Sequence, residues 1–592
     1  GAWYPWQTLD GTEDCGVWEY SFGEVHINGI IPYAIKYYTE FTRETDFLYS
    51  KGIEILLEQC RFWSTRCSYM PYRKGYGILK CMGPDEHQQV VDNNYYTNYL
   101  AKFTLEYTLG VIGEMKKEAP DQLNEVFEKI SFDIKECELW AAIAEQMLLP
   151  YDKELKLMIE DDSFLSQEGF TREMLDPERD LPIKEKWPIE FLQKYPLIKQ
   201  PDTLMTIFLF NDKFSIEEKK RHYQFYEQHT VHESSLSPSI HSILASEIGM
   251  MNQAYDYYLW SSRLDLDNYN RNSHQGLHIS SMSGTWMNIV FGFGGLRFSN
   301  NKLTINPALP QTWNKLSFKI IFRGHQMQFI LNNEQVECRL INSTDDSSIE
   351  IDVVDRQVVL SKDNPVYKQS LMPKVPINPQ AVIFDLDGVI CDTAEYHYLA
   401  WKAIADEEGI YFDRHINERL KGVSRMKSLD ILMEKATRTY TEDELADLAE
   451  KKNNLYKEYL KQLSPKDILP GIESFVGNLK AKGFKLGICS ASKNAPDILN
   501  YLKVTKWFDA VVSGNDNVEP KPHPAGFLLA AEKLKVEPHE CVVVEDAFAG
   551  IESAKHAGMK TLGIGYKLIL HNADYTLPST KYLNLERINL LY

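Results

Sequence analysis

Positive charge is scarce in this sequence. Lys and Arg number 64 against 84 Asp and Glu, a net charge of -20, which argues against nucleic acid as a partner but leaves room for a local pocket that grips a small phosphate. Cys-X-X-Cys pairs are absent. The nine cysteines are scattered and odd in number, so a reduced, cytoplasmic compartment is expected and not a disulfide framework. Internal repeats and low-complexity tracts are also missing. A membrane span is not expected either. The 20 residues from Leu277 to Leu296 carry no Asp, Glu, Lys or Arg, yet they hold His278, several Ser and four Gly, and are expected as a buried helix and loop lining a polar cavity. Neither a signal peptide nor an initiator Met is visible at the opening Gly1-Ala2-Trp3-Tyr4-Pro5-Trp6, so a fragment or a processed product is expected and the missing leader carries little weight.

What is present suffices for two to four domains, with 592 residues, 44% hydrophobic and 25% charged. Residues 1 to about 300 read as helical: apolar residues recur at three- and four-residue spacing over 27–41, 47–63 and 94–111. From about 301 the pattern changes to strands, over 316–331 and 348–360, so a small β domain is expected to about 372. Pro365, Pro373, Pro376 and Pro379 then mark a linker, with a boundary near 373. Beyond it, the strand-like runs 381–384, 485–488, 510–512 and 541–544 alternate with helices, predicting a parallel sheet. A helical insertion falls at about 394–465.

The run Phe384-Asp385-Leu386-Asp387-Gly388 delivers two carboxylates at the end of a buried apolar strand. Strand alternation puts both on one side, where they can share a metal and divide nucleophile and acid/base roles. Ser490 follows another strand, Lys521 lies between Pro520 and Pro522, and Glu545-Asp546 closes a third strand. At the carboxyl edge of a doubly wound sheet these converge as a carboxylate nucleophile, a phosphate clamp and oxygen ligands. Together with Asp392-Thr393-Ala394-Glu395-Tyr396-His397, Leu420-Lys421-Gly422-Val423-Ser424-Arg425 and Ser490-Ala491-Ser492-Lys493-Asn494, residues 379–592 resemble the β-phosphoglucomutase group of the haloacid dehalogenase superfamily.

That resemblance implies a Rossmann-like α/β domain with a helical cap. Asp385 would become an aspartyl phosphate, and Asp387 would be the acid/base, positioned and gated by Thr393 and His397. Mg²⁺ would bind Asp385, Asp387 (through its carbonyl), Glu545 and Asp546. Trp401, Ser490, Ala491, Asn494 and Lys521 would hold substrate or the transferring phosphate. Lys421 and Arg425, four apart, would grip the distal phosphate of a β-glucose 1,6-bisphosphate primer and intermediate, although a solvated helix face also accounts for that pair. A cap fits the chemistry, because an exposed aspartyl phosphate would hydrolyse.

In the helical half, Gly83-Pro84-Asp85-Glu86-His87 offers Glu86 as a single general acid; a helix-capping acid is the plainer reading. Lys199-Gln200 follows, then Ser234-Ser235-Leu236-Ser237-Pro238 and Gly276-Leu277-His278-Ile279-Ser280-Ser281-Met282-Ser283-Gly284-Thr285-Trp286. The last two groups bring hydroxyls and an imidazole without a paired carboxylate, which suits anion binding. Residues 1–330 resemble glycoside hydrolase family 65, inverting phosphorylases of α-glucosyl disaccharides such as maltose, trehalose and kojibiose. By that resemblance Glu86 protonates the leaving sugar, and Lys199 and Gln200 contact the glucosyl group. His278, Ser234 and Ser235 bind inorganic phosphate, the co-substrate that attacks the anomeric carbon. Pro201 stands where the family commonly has an apolar residue. By the same resemblance the given sequence is expected to start after the family's N-terminal β-sandwich and first barrel helices, which leaves the barrel incomplete over 1–300.

The combined expectation is a multidomain chain. An incomplete all-α (α/α)₆ barrel (1–300) and a small β domain (301–372) precede a doubly wound domain with a cap (373–592). Its two activities would run in sequence, from disaccharide to β-glucose 1-phosphate to glucose 6-phosphate. The alternatives are a mutase carrying an inactive binding module, and a sugar-phosphate phosphatase. The partners expected are sugars and sugar phosphates, with a homodimer through the helical half.

Overall fold

The computed structural model describes the chain apart from residues 18, 169–182, 184–186, 300, 344–347, 372–378, 419, 421–424, 437, 566–569, 571, 590 and 592. It divides into two compact units, Gly1–Pro373 and Lys374–Tyr592. The linker expected around 373, Lys421 and the rest of 421–424 lie outside the described residues.

The described part of the first unit is mainly helical to residue 293, with two small hairpins, Ser68–Met70 with Gly75–Gly77 and Tyr151–Asp152 with Leu157–Met158. The helix expected over 27–41 runs Ile27–Thr42. The next is a composite of Thr45–Phe47, a wide π turn Leu48–Gly52, and Ile53–Arg66. The third begins at Tyr95 and runs past the expected 111 to Glu118, because Ile112 and Met115 keep the buried spacing. Asn94 fixes its start, accepting the Thr97 N–H at 3.0 Å and so satisfying one of the helix's free donors. Helices Ile216–His229, Ser237–Glu247, Met251–Arg263 and Ile279–Met287 follow. One apolar core gathers Leu56, Leu57, Trp63, Leu105 and Trp140; a second gathers Leu204, Ile207, Tyr223, Tyr226 and Phe293.

The charge-free stretch 277–296 corrects an expectation. It is a helix with a π turn, Asn288–Phe293, but it is not buried all round: Leu277, Ile279, Met282 and Trp286 are 49% to 69% exposed. Over Ile279–Met287 the buried residues are the small Ser281 and Gly284, while Val290 and Phe293 are buried further on. A Cβ on Gly284 would stand 2.7 Å from the Cβ of Ser239 on helix Ser237–Glu247. The missing charge thus reflects close helix contact on one side and not burial on every side.

The β domain has two four-stranded sheets. Both expected strands are hairpins, Leu316–Phe322 with His325–Leu331 and Ile349–Val353 with Arg356–Leu360, and Phe322, Phe329, Val353 and Leu360 share its core.

The second unit holds a six-stranded parallel sheet, in the order Ala510–Val512, Lys485–Cys489, Ala381–Phe384, Cys541–Glu545, Lys560–Ile564 and Tyr575–Leu577. The central strand Ala381–Phe384 is wholly apolar, and Cys541–Glu545 is apolar up to its last residue, because helices cover both faces. Phe384 pairs with Ile488 on one side and Val544 on the other, so Asp385, Ser490 and Glu545 emerge at one edge. The insertion forms helices Ala394–Glu407, Arg414–Glu418, Arg425–Met433 and Glu442–Leu460. It has its own core of Trp401, Ile404, Phe412, Leu429 and Leu448.

Candidate active sites

At the carboxyl edge of the second unit's sheet, oxygens of Asp385, Glu545 and Asp546 lie within 4.8 Å of one another. Lys521 sits among them. Its Nζ donates to Asp385 Oδ1 at 2.5 Å and lies 3.4 Å from both oxygens of Glu545. The turn after the strand makes room: Gly388 has φ +83°, and a Cβ there would fall 1.9 Å from Asp546 Oδ2. Burial pushes the Asp546 carboxyl up to about 7, and the charge of Asp385 adds to the effect. The same two causes raise Glu545 well above its ordinary value. Burial works against the charge on Lys521, but Asp385 and Glu545 outweigh it and hold its pKa above that of a free lysine. Carboxylates that resist ionising together, with oxygen as the only donor type, suit a hard divalent cation, so the residues fit Mg²⁺.

The two aspartates part company. Asp387 accepts from the Thr393 hydroxyl, which in turn accepts from Tyr456 Oη at 3.0 Å. Burial takes Asp387 up to about 6, although the Thr393 bond pulls the other way. Lys452 Nζ donates to His397 Nδ1 at 2.7 Å, and an ammonium can only donate, so Nε2 of a neutral His397 carries its proton. The His397 ring stacks on Tyr456 with centroids 4.0 Å apart.

Lys452 and Tyr456 escaped the sequence reading. Lys452 stands in the charged run Glu450-Lys451-Lys452, which reads as a solvated face, yet it is 3% exposed. The available signal was the four-residue spacing of Lys452 and Tyr456 facing that of Thr393 and His397. Trp401, expected to touch substrate, is instead 2% exposed within the cap's core, with Lys452 Nζ 5.1 Å above its ring. Ser490 is buried beside the edge, its Oγ accepting from the Ser492 N–H at 3.2 Å. Asn494 is buried just ahead of helix Ala495–Tyr501, and Ala491 is exposed. Arg425 opens its helix.

In the first unit, Glu86 is held from three directions. Lys199 Nζ and Gln200 Nε2 donate to Oε1 at 2.5 and 2.6 Å, and Tyr20 Oη donates to Oε2 at 3.0 Å. Gln200 Oε1 also accepts the Glu86 N–H at 3.2 Å. Lys199 and Gln200, expected to face substrate, here face the acid. Beneath them Asp85, 1% exposed, ties the two loops together: its Oδ1 accepts N–H bonds from Lys199 at 2.8 Å, His87 at 3.2 Å and Gln200 at 3.4 Å. Burial raises Asp85 to about 7 against those bonds. Asp202 and Glu160 are buried nearby and raised well above their ordinary values by burial and by neighbouring carboxylates. Gly83 admits the Asp202 carboxylate, since a Cβ there would meet Oδ2 at 1.8 Å. Glu24 is a further carboxyl that sequence reading passed over: burial raises it to about 8, with the Glu86 charge adding, while Trp6 Nε1 donates to it at 2.7 Å.

Ser234 and Ser235 precede helix Ser237–Glu247, and His278 precedes helix Ile279–Met287; the two helices pack together at Ser239 and Gly284. The imidazole does have a paired carboxylate, contrary to expectation. His278 Nδ1 lies 2.5 Å from Asp265 Oδ1, and its backbone N–H donates to Oδ2 at 2.9 Å. The partner lies thirteen residues upstream, beyond the reach of motif reading, and the pairing turns Nε2 outward.

Comparison with known proteins finds a different family for each unit. Residues 1–287 match the glycosyl hydrolase family 65 central catalytic domain, 296–360 the family 65 C-terminal domain, and 379–558 the haloacid dehalogenase-like hydrolases. The α,α-trehalose phosphorylase of Thermoanaerobacter brockii is 42% identical over 363 residues, 61% of this chain and 46% of that protein. A kojibiose-phosphorylase-type structure from the human microbiome aligns with a TM-score of 0.58 at 31% identity, covering 63% of this chain and 50% of the other. The β-phosphoglucomutase of Bacillus subtilis (strain 168) is 45% identical over 212 residues, 36% of this chain and 94% of that enzyme. The chain spans about half the length of the phosphorylases it matches. Its first unit is similar to the catalytic and C-terminal domains of glycosyl hydrolase family 65, and through its second unit the chain belongs to the haloacid dehalogenase-like family at the β-phosphoglucomutase branch.

Proposed function

We propose that the chain is a two-step enzyme, with a phosphorylase-type site in 1–372 and a β-phosphoglucomutase in 373–592. The observation that carries the second assignment is the edge cluster of Asp385, Glu545, Asp546 and Lys521, set beside a separately held Asp387. Asp385 accepts a phosphoryl group, and Asp387 takes the proton from the attacking sugar hydroxyl and returns it in the reverse transfer. Lys521, Ser490 and Asn494 grip the phosphoryl oxygens, and Lys421 and Arg425 the distal phosphate. Asp385, Glu545, Asp546 and the Asp387 carbonyl hold Mg²⁺, which when bound offsets the charge of these carboxylates and of the phosphoryl group. β-Glucose 1-phosphate leaves as glucose 6-phosphate through β-glucose 1,6-bisphosphate.

In the first unit, Glu86 gives its proton to the leaving glycosidic oxygen while phosphate, held by His278, Ser234 and Ser235, attacks the anomeric carbon and inverts it. The product has the anomer the second site uses. A specific observation favours a second reading for this unit, a binding module without turnover. Three donors converge on Glu86 and favour its ionised form, the opposite of a waiting acid.

The test is a pair of assays on the whole chain. Disaccharide and phosphate should yield β-glucose 1-phosphate in the wild type and none in Glu86→Gln; no phosphate-dependent release at all supports the binding module. β-Glucose 1-phosphate with Mg²⁺ and bisphosphate primer should yield glucose 6-phosphate. Release of free phosphate in place of that product would identify a phosphatase.

A further inference from the structure

Outside both sites, four elements of the first unit bring Glu227, His232, His241 and Tyr257 together. Their exposures are 7%, 6%, 0% and 5%, and one donor atom each from Glu227, His232 and His241 falls within 4.8 Å of the others. The spacing is informative. Nε2 of His232 and of His241 stand 3.4 and 3.5 Å from the same oxygen, Glu227 Oε2. A charge-assisted N–H···O bond would be about 2.7–2.9 Å. Donors bound to one ion at about 2.0–2.1 Å in a tetrahedron stand about 3.3–3.4 Å apart. The observed distances match the second geometry.

The tautomer of His241 agrees with it. His241 Nδ1 faces the Ser237 carbonyl oxygen at 2.9 Å, a contact that only an N–H can make. A neutral His241 therefore turns its Nε2 lone pair towards Glu227 Oε2, the orientation a metal ligand needs. Anchoring one ring nitrogen on a backbone carbonyl is also how metal-binding histidines are held. Tyr257 Oη donates to the other oxygen of Glu227, turning Oε2 to the imidazoles, and its oxygen then accepts from His232 Nε2–H at 2.9 Å, so this proton must leave Nε2 when the ion binds.

We propose that Glu227 Oε2, His232 Nε2 and His241 Nε2 bind a zinc-class divalent cation. Two imidazoles and one carboxylate select a borderline ion, in contrast to the all-oxygen edge of the second unit. The ion braces the loop between His232 and helix Ser237–Glu247, which carries Ser234 and Ser235.

The experiment uses the whole chain, stripped with chelator and reconstituted with Zn²⁺ or Co²⁺ in excess Mg²⁺ so that the carboxylate edge is filled. One equivalent of zinc should remain after gel filtration, Co²⁺ should give the intense visible bands of four-coordination, and X-ray absorption of the zinc form should show two imidazole nitrogens. His241→Gln should weaken zinc binding at least about 100-fold. No retained zinc, an oxygen-only shell, or zinc kept by His241→Gln but lost from Glu545→Gln would overturn the proposal. Should His241→Gln fail to fold, the absorption spectrum of the wild type decides.

Discussion

Asp385 and Asp387 stand two positions apart in sequence and in different electrostatic settings. Asp385 is neutralised directly by Lys521, while Asp387 is buried on a hydroxyl chain through Thr393 to Tyr456. Their substitutions should therefore fail differently. Asp385→Asn should lower conversion of β-glucose 1-phosphate at least about 10⁴-fold and abolish the phosphoenzyme. Asp387→Asn should still accept a phosphoryl group but pass it to sugar about 10²–10⁴-fold more slowly. Intact-protein mass spectrometry after mixing with bisphosphate separates the two, and a phosphoenzyme in Asp385→Asn would refute the assignment. At the other site, Asp85→Ala leaves three buried N–H groups without their acceptor and should cost the first unit about 3 kcal/mol in denaturant unfolding. Asp85→Asn, which retains an accepting oxygen, should cost less; equal losses would show that the three bonds do not matter. These residues also mark what could be read in advance. The Asp385–Asp387 pair and Glu86 announce themselves in a few neighbouring letters. Apart from the His87 N–H beside Asp85, the partners of Asp85, Asp265 and Lys452 lie 13 to 115 positions away, a separation that no local pattern encodes.

Between elements, register does the positioning. Helices Ala394–Glu407 and Glu442–Leu460 set two four-residue spacings face to face, matching Thr393 with Tyr456 and His397 with Lys452. Lys452→Met preserves most of the stem's packing and removes the donor, so His397 no longer has a fixed tautomer. We expect kcat of the mutase to fall about 10-fold or more, with its pH profile displaced and the melting temperature little changed; an unchanged profile would reduce Lys452 to packing. The strand-to-helix turn is equally constrained. Gly388→Ala would force a side chain into a φ of +83° and against Asp546, so it should weaken Mg²⁺ binding and cost about 1–2 kcal/mol or more. Calorimetric titration with Mg²⁺ reads the first effect directly. Alternation and helical spacing in the sequence foretold most of these elements. They did not foretell the hairpin turns, the π turn at Leu48–Gly52 or the one-sided packing of Ile279–Met287. Each of those is decided by what lies against the segment.

For the molecule as a whole, the second unit's buried acids couple folding to pH. Asp387 and Asp546 rise from an ordinary 3.8 to about 6 and about 7 when folded. The folded form therefore holds more protons than the unfolded one between those values, and the stabilisation they give is fully present below about pH 4 and lost as pH rises through 6 and 7. In chelator, the second unit's melting temperature should carry that downward contribution from pH 4 to 7. Mg²⁺ should restore stability increasingly as pH rises, and Asp546→Asn should flatten the trend; an equal Mg²⁺ effect at both ends of the range would contradict the shifts. One consequence concerns admission to the site. Asp385, Asp387, Glu545 and Asp546 are four carboxyl groups against the single ammonium of Lys521, so a fully ionised edge keeps three negative charges uncompensated. A sugar phosphate, itself a dianion, is repelled by such an edge until a metal has arrived. In the proposed mutase the metal therefore enters before the sugar phosphate, and the surrounding level of free magnesium would act as a valve on how many copies can receive substrate.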